Sequence, residues 1–444
     1  MQYLDEVIAK IIEHSPGQPE FHQAVREIYE SLEPVVIKHE SDYRRTKLLE
    51  MLSEPERSIS FRVPWIDDHG RVHMNRGYRI QFNSALGPYK GGLRFHPSVN
   101  RGIVKFLGFE QIFKNALTCL PIGGAKGGAN FDPKGRSDQE IMSFCQSFMT
   151  ELFRHIGPNV DVPAGDIGVG GREIGFLFGQ YKRLTRKFEG ALSGKGVEFG
   201  GSQVRVEATG YGAVYLTEEM LADRGETLEG KKVVISGSGN VALYAMQKAQ
   251  DMGANVVTAS DSSGFIYNES GIDFETLRRI KEEERGRVKD YAGEVPGTEY
   301  YENAKVWSVP CDLVIPCATQ NEITLDDAKK IAANGCHYIT EGSNMPCTRE
   351  ATDYLVSEGV TILPSKAANA GGVAVSTLEM SQNSVRQYRT FTDLDRQLKD
   401  IMINIYRSMN AAADDYGVSG NYISGANIAG FRRVAKAMRM EGYV

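Results

Sequence analysis

The chain has 444 residues, 41% of them apolar and 24% charged, with a formal net charge of −6. That length exceeds one ordinary domain and suits two or three, and the balance of residues is that of a soluble globular enzyme rather than a disordered or membrane chain. The acidic balance argues against nucleic acid as the main partner, because phosphate binding needs basic surface.

The opening MQYLDEVIAKIIEHS places Leu4, Val7, Ile8, Ile11 and Ile12 at helical spacing, interrupted by Asp5, Glu6, Lys10 and Glu13. This predicts an amphipathic helix and not a signal peptide. No run of eighteen apolar residues follows, so no membrane span is expected. FRVPWID and RGYRIQFNS read as strands.

Three stretches then each set a lysine among small or special residues: GPYKGGLRFHP with Lys90, FEQIFKNAL with Lys114, and LPIGGAKGGANFDP with Lys126. The last is not a phosphate-binding loop, which needs Gly-x-x-x-x-Gly-Lys followed by Ser or Thr; Gly127 follows the lysine here and Leu120 stands where the first glycine should be. Gln111 and Lys114 share a helix face, with Phe106, Phe109 and Phe113 free to anchor the other side. If the three lysines converge, each charge disfavours the others and burial disfavours charge further, so at least one pKa must fall. Such a lysine is a usable base near neutral pH. PAGDIGVGGREIG adds Asp166 in another glycine-rich loop, readable as a turn aspartate or a catalytic one.

The run GALSGKGVEFGGS (190–202) suggests a domain boundary or hinge near 200. Beyond it, KKVVIS, ANVVTAS, CDLVIP, CHYIT and VTILP are short apolar runs separated by helical or loop material. This alternation indicates βαβ units on a parallel sheet. GSGNVA (237–242) fits Gly-x-Gly-x-x-Gly/Ala between a strand and a helix: Gly237 for the turn, Gly239 for approach to a pyrophosphate, Ala242 for close packing. Asp261 ends the next strand, where an acid would bond a ribose 2′-OH and select NAD. Yet its loop reads SDSSG, and Ser262, Ser263 and the basic Lys281, Arg285 and Arg287 suit a 2′-phosphate. The stretch IKEEERGRVKD (280–290) otherwise reads as a solvated helix face. ANIAGFRRVAKAMRM puts Ile428, Phe431, Val434 and Met438 on one stripe, expected to cross back onto the first domain.

The fold expected is α/β in two domains: an α/β substrate and oligomerisation domain (1–200, completed by the C-terminal helix 425–444) and a doubly wound, Rossmann-like dinucleotide-binding domain (201–424). Cys119, Cys145, Cys311, Cys317, Cys336 and Cys347 show no Cys-x-x-Cys spacing. They read as free buried thiols in a reducing cytoplasm, with no metal site.

LPIGGAKGGANFDP, GPYKGGLRFHP, VPAGDIGVGGREIG, EATGYG, PCATQNE and NAGGVAVSTLEMSQNS together resemble the hexameric bacterial-type glutamate dehydrogenases, over nearly the whole chain and in order. The resemblance implies that Lys126 is the catalytic lysine and Asp166 a proton relay. It assigns Lys90 and Ser376 to the side-chain carboxylate of L-glutamate or 2-oxoglutarate, and Gln111, Lys114 and the backbone of Gly165 to the α-carboxylate and amine. Cofactor contacts fall on Thr209, Gly237, Gly239, Asn240, Val241, Asp261, Ser262 and Asn344. The SDSSG loop resembles NADP-using members, with NAD an alternative or additional cofactor. A homohexamer that closes over its substrates, ammonium included, is implied too. Val206 and Cys347 depart from the family pattern, at positions given no catalytic role. Two rivals stay open: a dehydrogenase for leucine, valine or phenylalanine, which needs an apolar pocket at Lys90 and Ser376, and a non-catalytic nucleotide-binding protein.

Overall fold

The computed structural model describes residues 2–442; Tyr443 and Val444, the end of the segment 425–444, lie outside the described residues. The first half builds a mixed five-stranded sheet from β1 (Arg57–Ile66), β2 (Val72–Asn83), β3 (Tyr89–Phe95), β4 (Gly124–Ala129) and β5 (Asp161–Gly165), in the order β1-β2-β4-β3-β5. β1 and β2 form an antiparallel hairpin, whereas β3 runs parallel to both β4 and β5. Side chains alternate across a strand, so Leu93 and Phe95 enter one core while Lys90 and Arg94 face the other way, into a cleft.

One face of this sheet is covered by the Asp138–Leu152 and Gly171–Thr185 helices, through Phe144, Phe148, Leu177 and Phe178. The other carries the Arg101–Leu117 helix, whose Phe109 and Phe113 pack on Ile80 and Phe82. The Tyr422–Met440 helix adds Ile428, Phe431, Val434 and Met438 to that same core, so the end of the described chain returns to its beginning.

The second half holds a parallel sheet, β13-β12-β11-β6-β7, from β6 (Lys232–Ser236), β7 (Asn255–Val256), β11 (Leu313–Pro316), β12 (Tyr338–Thr340) and β13 (Thr361–Leu363). Val233 and Ile235 of β6 pack against the Ala208–Asp223 and Asn240–Asp251 helices. Val234 and Val314 pack on the opposite side, under the Leu325–Ala333 and Arg349–Ser357 helices. Helices on both faces make it doubly wound.

Four local outcomes differ from the sequence reading. ANVVTAS is two strands, because the Thr258 hydroxyl bonds both the N–H and the carbonyl of Ile235 at 3.0 Å and takes the place of ladder bonds. The chain then leaves the parallel sheet as β8 (Thr258–Asp261), in a small antiparallel sheet with β9 (Gly264–Tyr267) and β10 (Glu299–Glu302). The stretch 280–290 is not one helix face: a wide turn, Arg279–Glu283, breaks at Arg285 (φ 56°) before the Val288–Glu294 helix. Ile280 and Val288 bury themselves on either side of that break. The 190–202 run, read as a boundary or hinge, is clasped by side chains, with Lys195 donating to Glu379 at 2.6 Å and to Asn383 at 2.8 Å on the Gly371–Val385 helix. Five of the cysteines are buried, but Cys119 is exposed in the turn after the Arg101–Leu117 helix; all six are free.

Candidate active site

The cleft between the two sheets encloses about 450 Å³. Its charged lining counts six cations (Lys90, Arg94, Lys114, Lys126, Arg205, Lys366) against two anions (Glu110, Asp166), which suits a dianionic ligand. Gly91 and Gly92 of β3 permit its compactness. A Cβ at Gly91 would lie 1.7 Å from the Ala125 carbonyl oxygen, and one at Gly92 2.7 Å from that of Gly165.

Lys126, on β4, reaches Asp166 Oδ1 at 3.1 Å, while Arg94 Nε donates to Asp166 Oδ2 at 2.7 Å. Burial works against a charged Asp166, but the two cations and their hydrogen bonds outweigh it and hold its pKa at about 2. Burial pulls Lys126 below the usual lysine value, with Arg94 adding to the drop and Asp166 opposing it. Lys90 is wholly buried, donating to Val162 O at 3.0 Å and Ser193 Oγ at 2.7 Å. Burial, then Arg205 and Arg79, brings it down to about 7. Beside this end of the cleft lie two buried polar atoms without partners, Ser376 Oγ and Arg205 Nε. Buried polar groups are normally satisfied, so these two are places for ligand atoms.

Gln111 and Lys114 enter the cleft from the Arg101–Leu117 helix. Asn115 fastens that helix to the sheet, accepting from Gln111 Nε2 at 2.7 Å and donating to the Lys90 carbonyl at 3.0 Å. Burial, then Lys126, lowers Lys114 to about 8.

Toward the parallel sheet, the cleft is lined by Thr209, Val241, Thr319, Gln320, Ser343, Asn344 and Asn369. Ser343 Oγ and Asn369 Oδ1 are buried and unpartnered. Gly237 turns the chain with φ 87°, and the Asn240–Asp251 helix begins at Gly239 with no side-chain cap. Its free N–H groups suit a phosphate. These features fit a dinucleotide lying across the carboxyl ends of β6 and β11.

The cleft therefore gathers Lys90, Gln111, Lys114, Lys126, Gly165, Asp166, Thr209, Val241, Asn344 and Ser376. Gly237, Gly239, Asn240, Asp261 and Ser262 stand outside that cavity, along the strand–turn–helix and the hairpin beyond. Asp261 does not present its carboxylate as a ribose acceptor should. Oδ1 takes the N–H and hydroxyl of Ser263 at 2.8 and 2.6 Å, and Oδ2 takes the Val288 N–H at 3.0 Å. Ser262 is the exposed side chain of the loop, accepting from Arg287 at 3.0 Å, with Lys281 3.6 Å from Asp261.

Residues 200–442 match the glutamate/leucine/phenylalanine/valine dehydrogenase model, and residues 55–183 match the dimerisation domain of the same dehydrogenases. The chain belongs to this family. It is 53% identical to the NADP-specific glutamate dehydrogenase of Helicobacter pylori over 99% of this chain and all of that one. It is equally identical to the NAD(P)-specific enzyme of Xylanibacter ruminicola, over 98% of this chain and 99% of that one. Its fold superposes on Plasmodium falciparum glutamate dehydrogenase with a TM-score of 0.97, at 52% identity, covering 99% of this chain and 95% of the other.

Within the family frame, sequence reasoning passed over Arg94, Glu110, Ser193, Arg205, Ser343, Lys366 and Asn369. Arg94 and Asn369 sit inside strings that were already conspicuous, GPYKGGLRFHP and NAGGVAVSTLEMSQNS. Glu110 lies in FEQIFKNAL and Lys366 in no conspicuous string, and only the packing of the Arg101–Leu117 helix against residues 365–368 turns both into the cleft.

Proposed function

We propose that this chain is an NADP-dependent glutamate dehydrogenase, interconverting L-glutamate with 2-oxoglutarate and ammonium. The observation that carries the reading is the wholly buried Lys90 beside the unpartnered Ser376 hydroxyl, in one cleft with the Lys126–Asp166 pair. A site built to pair a buried carboxylate rejects apolar side chains, which leave the lysine unpaired. That disfavours leucine, valine and phenylalanine as substrates.

Lys90 and Ser376 hold the distal carboxylate, while Lys114, Gln111 and the backbone of Gly165 hold the α-carboxylate and nitrogen. NADP, when bound, would supply the hydride acceptor, and Thr209, Val241, Ser343, Asn344 and Asn369 would hold its nicotinamide end. Once Asp166 has taken a proton from the α-ammonium, loss of hydride from C2 of glutamate leaves an iminium there. Lys126, in its neutral form, takes a proton from water as that water adds to C2, and the resulting ammonium stabilises charge on the carbinolamine. Asp166 carries protons to and from the departing nitrogen. The two residues are coupled: once Lys126 is neutral, one of the charges that hold Asp166 down is gone, and the carboxylate becomes a better proton acceptor. Ser262, Arg287 and Lys281 suit a 2′-phosphate and support NADP over NAD, with NAD as an additional cofactor.

Residues 1–200 with the helix from 425 form the substrate and oligomerisation domain in this reading, and 201–424 the dinucleotide domain. Exposed apolar side chains on the β1–β2 hairpin, Ile66, Val72 and Met74, support self-association into a homohexamer. No helix among the described residues is long and apolar enough to cross a membrane. Free thiols at all six cysteines support a cytoplasmic setting.

The test is initial rate with 2-oxoglutarate and ammonium, NADPH against NADH, and L-leucine against L-glutamate in reverse. Preference for NADPH and for glutamate is expected. Equal turnover of leucine would overturn the substrate assignment, and dinucleotide binding without turnover would overturn the activity.

A further inference from the structure

Asn115 lies one turn after Gln111 on the Arg101–Leu117 helix and is fully buried. Its Nδ2 faces two backbone carbonyls, that of Lys90 on β3 at 3.0 Å and that of Gly123, just before β4, at 2.5 Å. A carbonyl can only accept, so both amide hydrogens of Asn115 are spent there and its Oδ1 is left as an acceptor. The group that meets Oδ1 is Gln111 Nε2, at 2.7 Å. The amide of Gln111 therefore has one orientation, with nitrogen toward Asn115 and Oε1 away from it. The stem is confined too, since a Cβ at Gly91 would stand 3.3 Å from Gln111 Cγ. Gln111 lines the cleft, and its Oε1 accepts no hydrogen bond among the described residues.

We propose that Asn115 is a positioning residue that turns Gln111 Oε1 into the cleft, and that this oxygen receives the nitrogen of the substrate. The inference rests on the assignment of L-glutamate and 2-oxoglutarate to the cleft. Carboxylates and a keto oxygen have no hydrogen to give, so none of them can pair with Oε1. L-glutamate carries its donors in one place, the α-ammonium. In the opposite direction ammonium brings donors and 2-oxoglutarate brings none. Oε1 therefore matches the nitrogen, while the second Nε2 hydrogen stays available to the α-carboxylate. The two acceptors for that nitrogen then differ in kind. The amide oxygen accepts a hydrogen bond without taking the proton, and Asp166, held by Lys126 and Arg94, is left to take it.

The experiment compares L-glutamate with glutarate, the same five-carbon diacid without the nitrogen. KM for L-glutamate and the inhibition constant of glutarate are measured in wild type, Gln111→Met, Asn115→Ala, Asn115→Asp and the double variant Gln111→Met with Asn115→Ala, with KM for NADP in parallel. In Gln111→Met, KM for L-glutamate is expected to rise about tenfold relative to the glutarate constant, with KM for NADP unchanged. Asn115→Ala frees the Gln111 amide to turn and should move the ratio the same way. The double variant should move it no further than Gln111→Met alone. Asn115→Asp, protonated in its buried place, keeps an oxygen toward Gln111 and a donor toward the carbonyls. It should hold the wild-type ratio, and it decides the matter even where Asn115→Ala fails to fold. Glutarate weakened as much as L-glutamate in Gln111→Met would overturn the nitrogen assignment. An unchanged ratio in Asn115→Ala, additive shifts in the double variant, or a shifted ratio in Asn115→Asp would overturn the positioning role. If wild type neither turns over L-glutamate nor binds glutarate, it is the reading of the cleft that fails.

Discussion

Asp166 accepts from Lys126 and Arg94 at once, so it is an anion under two cations. That is a poor state for a proton carrier, and Arg94 is the partner that no step of the reaction neutralises. Arg94→Gln keeps a hydrogen-bond donor and removes the charge. The Asp166 carboxyl then rises from about 2, since burial is no longer so strongly opposed, by roughly one to three units. The acid limb of kcat/KM for glutamate should move up in pH by a similar amount, read from a pH–rate profile. An unmoved limb would detach Asp166 from that limb. Lys126 and Asp166 could be picked out in the sequence because glycines flank them. Arg94 lies in an equally conspicuous string, but its role depends on the parallel pairing of β3 with β5, which sets it beside the Asp166 loop.

At the scale of elements, the Gly371–Val385 helix holds the cleft together. It carries Ser376, and through Glu379 and Asn383 it grips the loop that brings Ser193 to Lys90. Lys195 and Glu379 are buried, with side-chain exposures of 1% and 0%. Removing one partner of such a pair leaves a buried charge and costs about 3–5 kcal/mol. Lys195→Met should therefore lower the stability measured by urea unfolding by that amount and raise KM for 2-oxoglutarate. Unchanged stability would mean that the 190–202 segment is not held by this pair. The glycines of that run suggested a domain boundary or hinge; they did not show the clasp, which comes from side chains nearly two hundred residues away. For a similar reason ANVVTAS split in two: the hydroxyl of Thr258 finds the backbone of β6, a contact that local periodicity does not contain.

At the scale of the whole molecule, the last described helix closes the first core. Ile428, Phe431, Val434 and Met438 are all buried there. Each such side chain contributes about 1.5–3 kcal/mol when buried. The four together are then worth about 6–12 kcal/mol, comparable with the 5–15 kcal/mol net stability of a typical protein. A chain ending at Asn421 should lose cooperative folding of the first core, and amides of the Arg101–Leu117 helix should lose their protection from hydrogen exchange. Retained protection would show that this helix is dispensable.

The sequence by itself determined the α/β class, the strand–turn–helix at 237–242, the apolar stripe of the last helix and the three lysines. All of these are written in local period, turn chemistry and glycine spacing. Tertiary structure alone decided which charges meet. The pairing of Arg94 with Asp166, the inward turn of the Asp261 carboxylate, the clasp of Lys195 on Glu379 and the meeting of Glu110 and Lys366 in one cleft all join groups far apart in the chain or set by packing. Electrostatic interaction depends on distance and burial, and neither is a property of a residue and its neighbours in sequence.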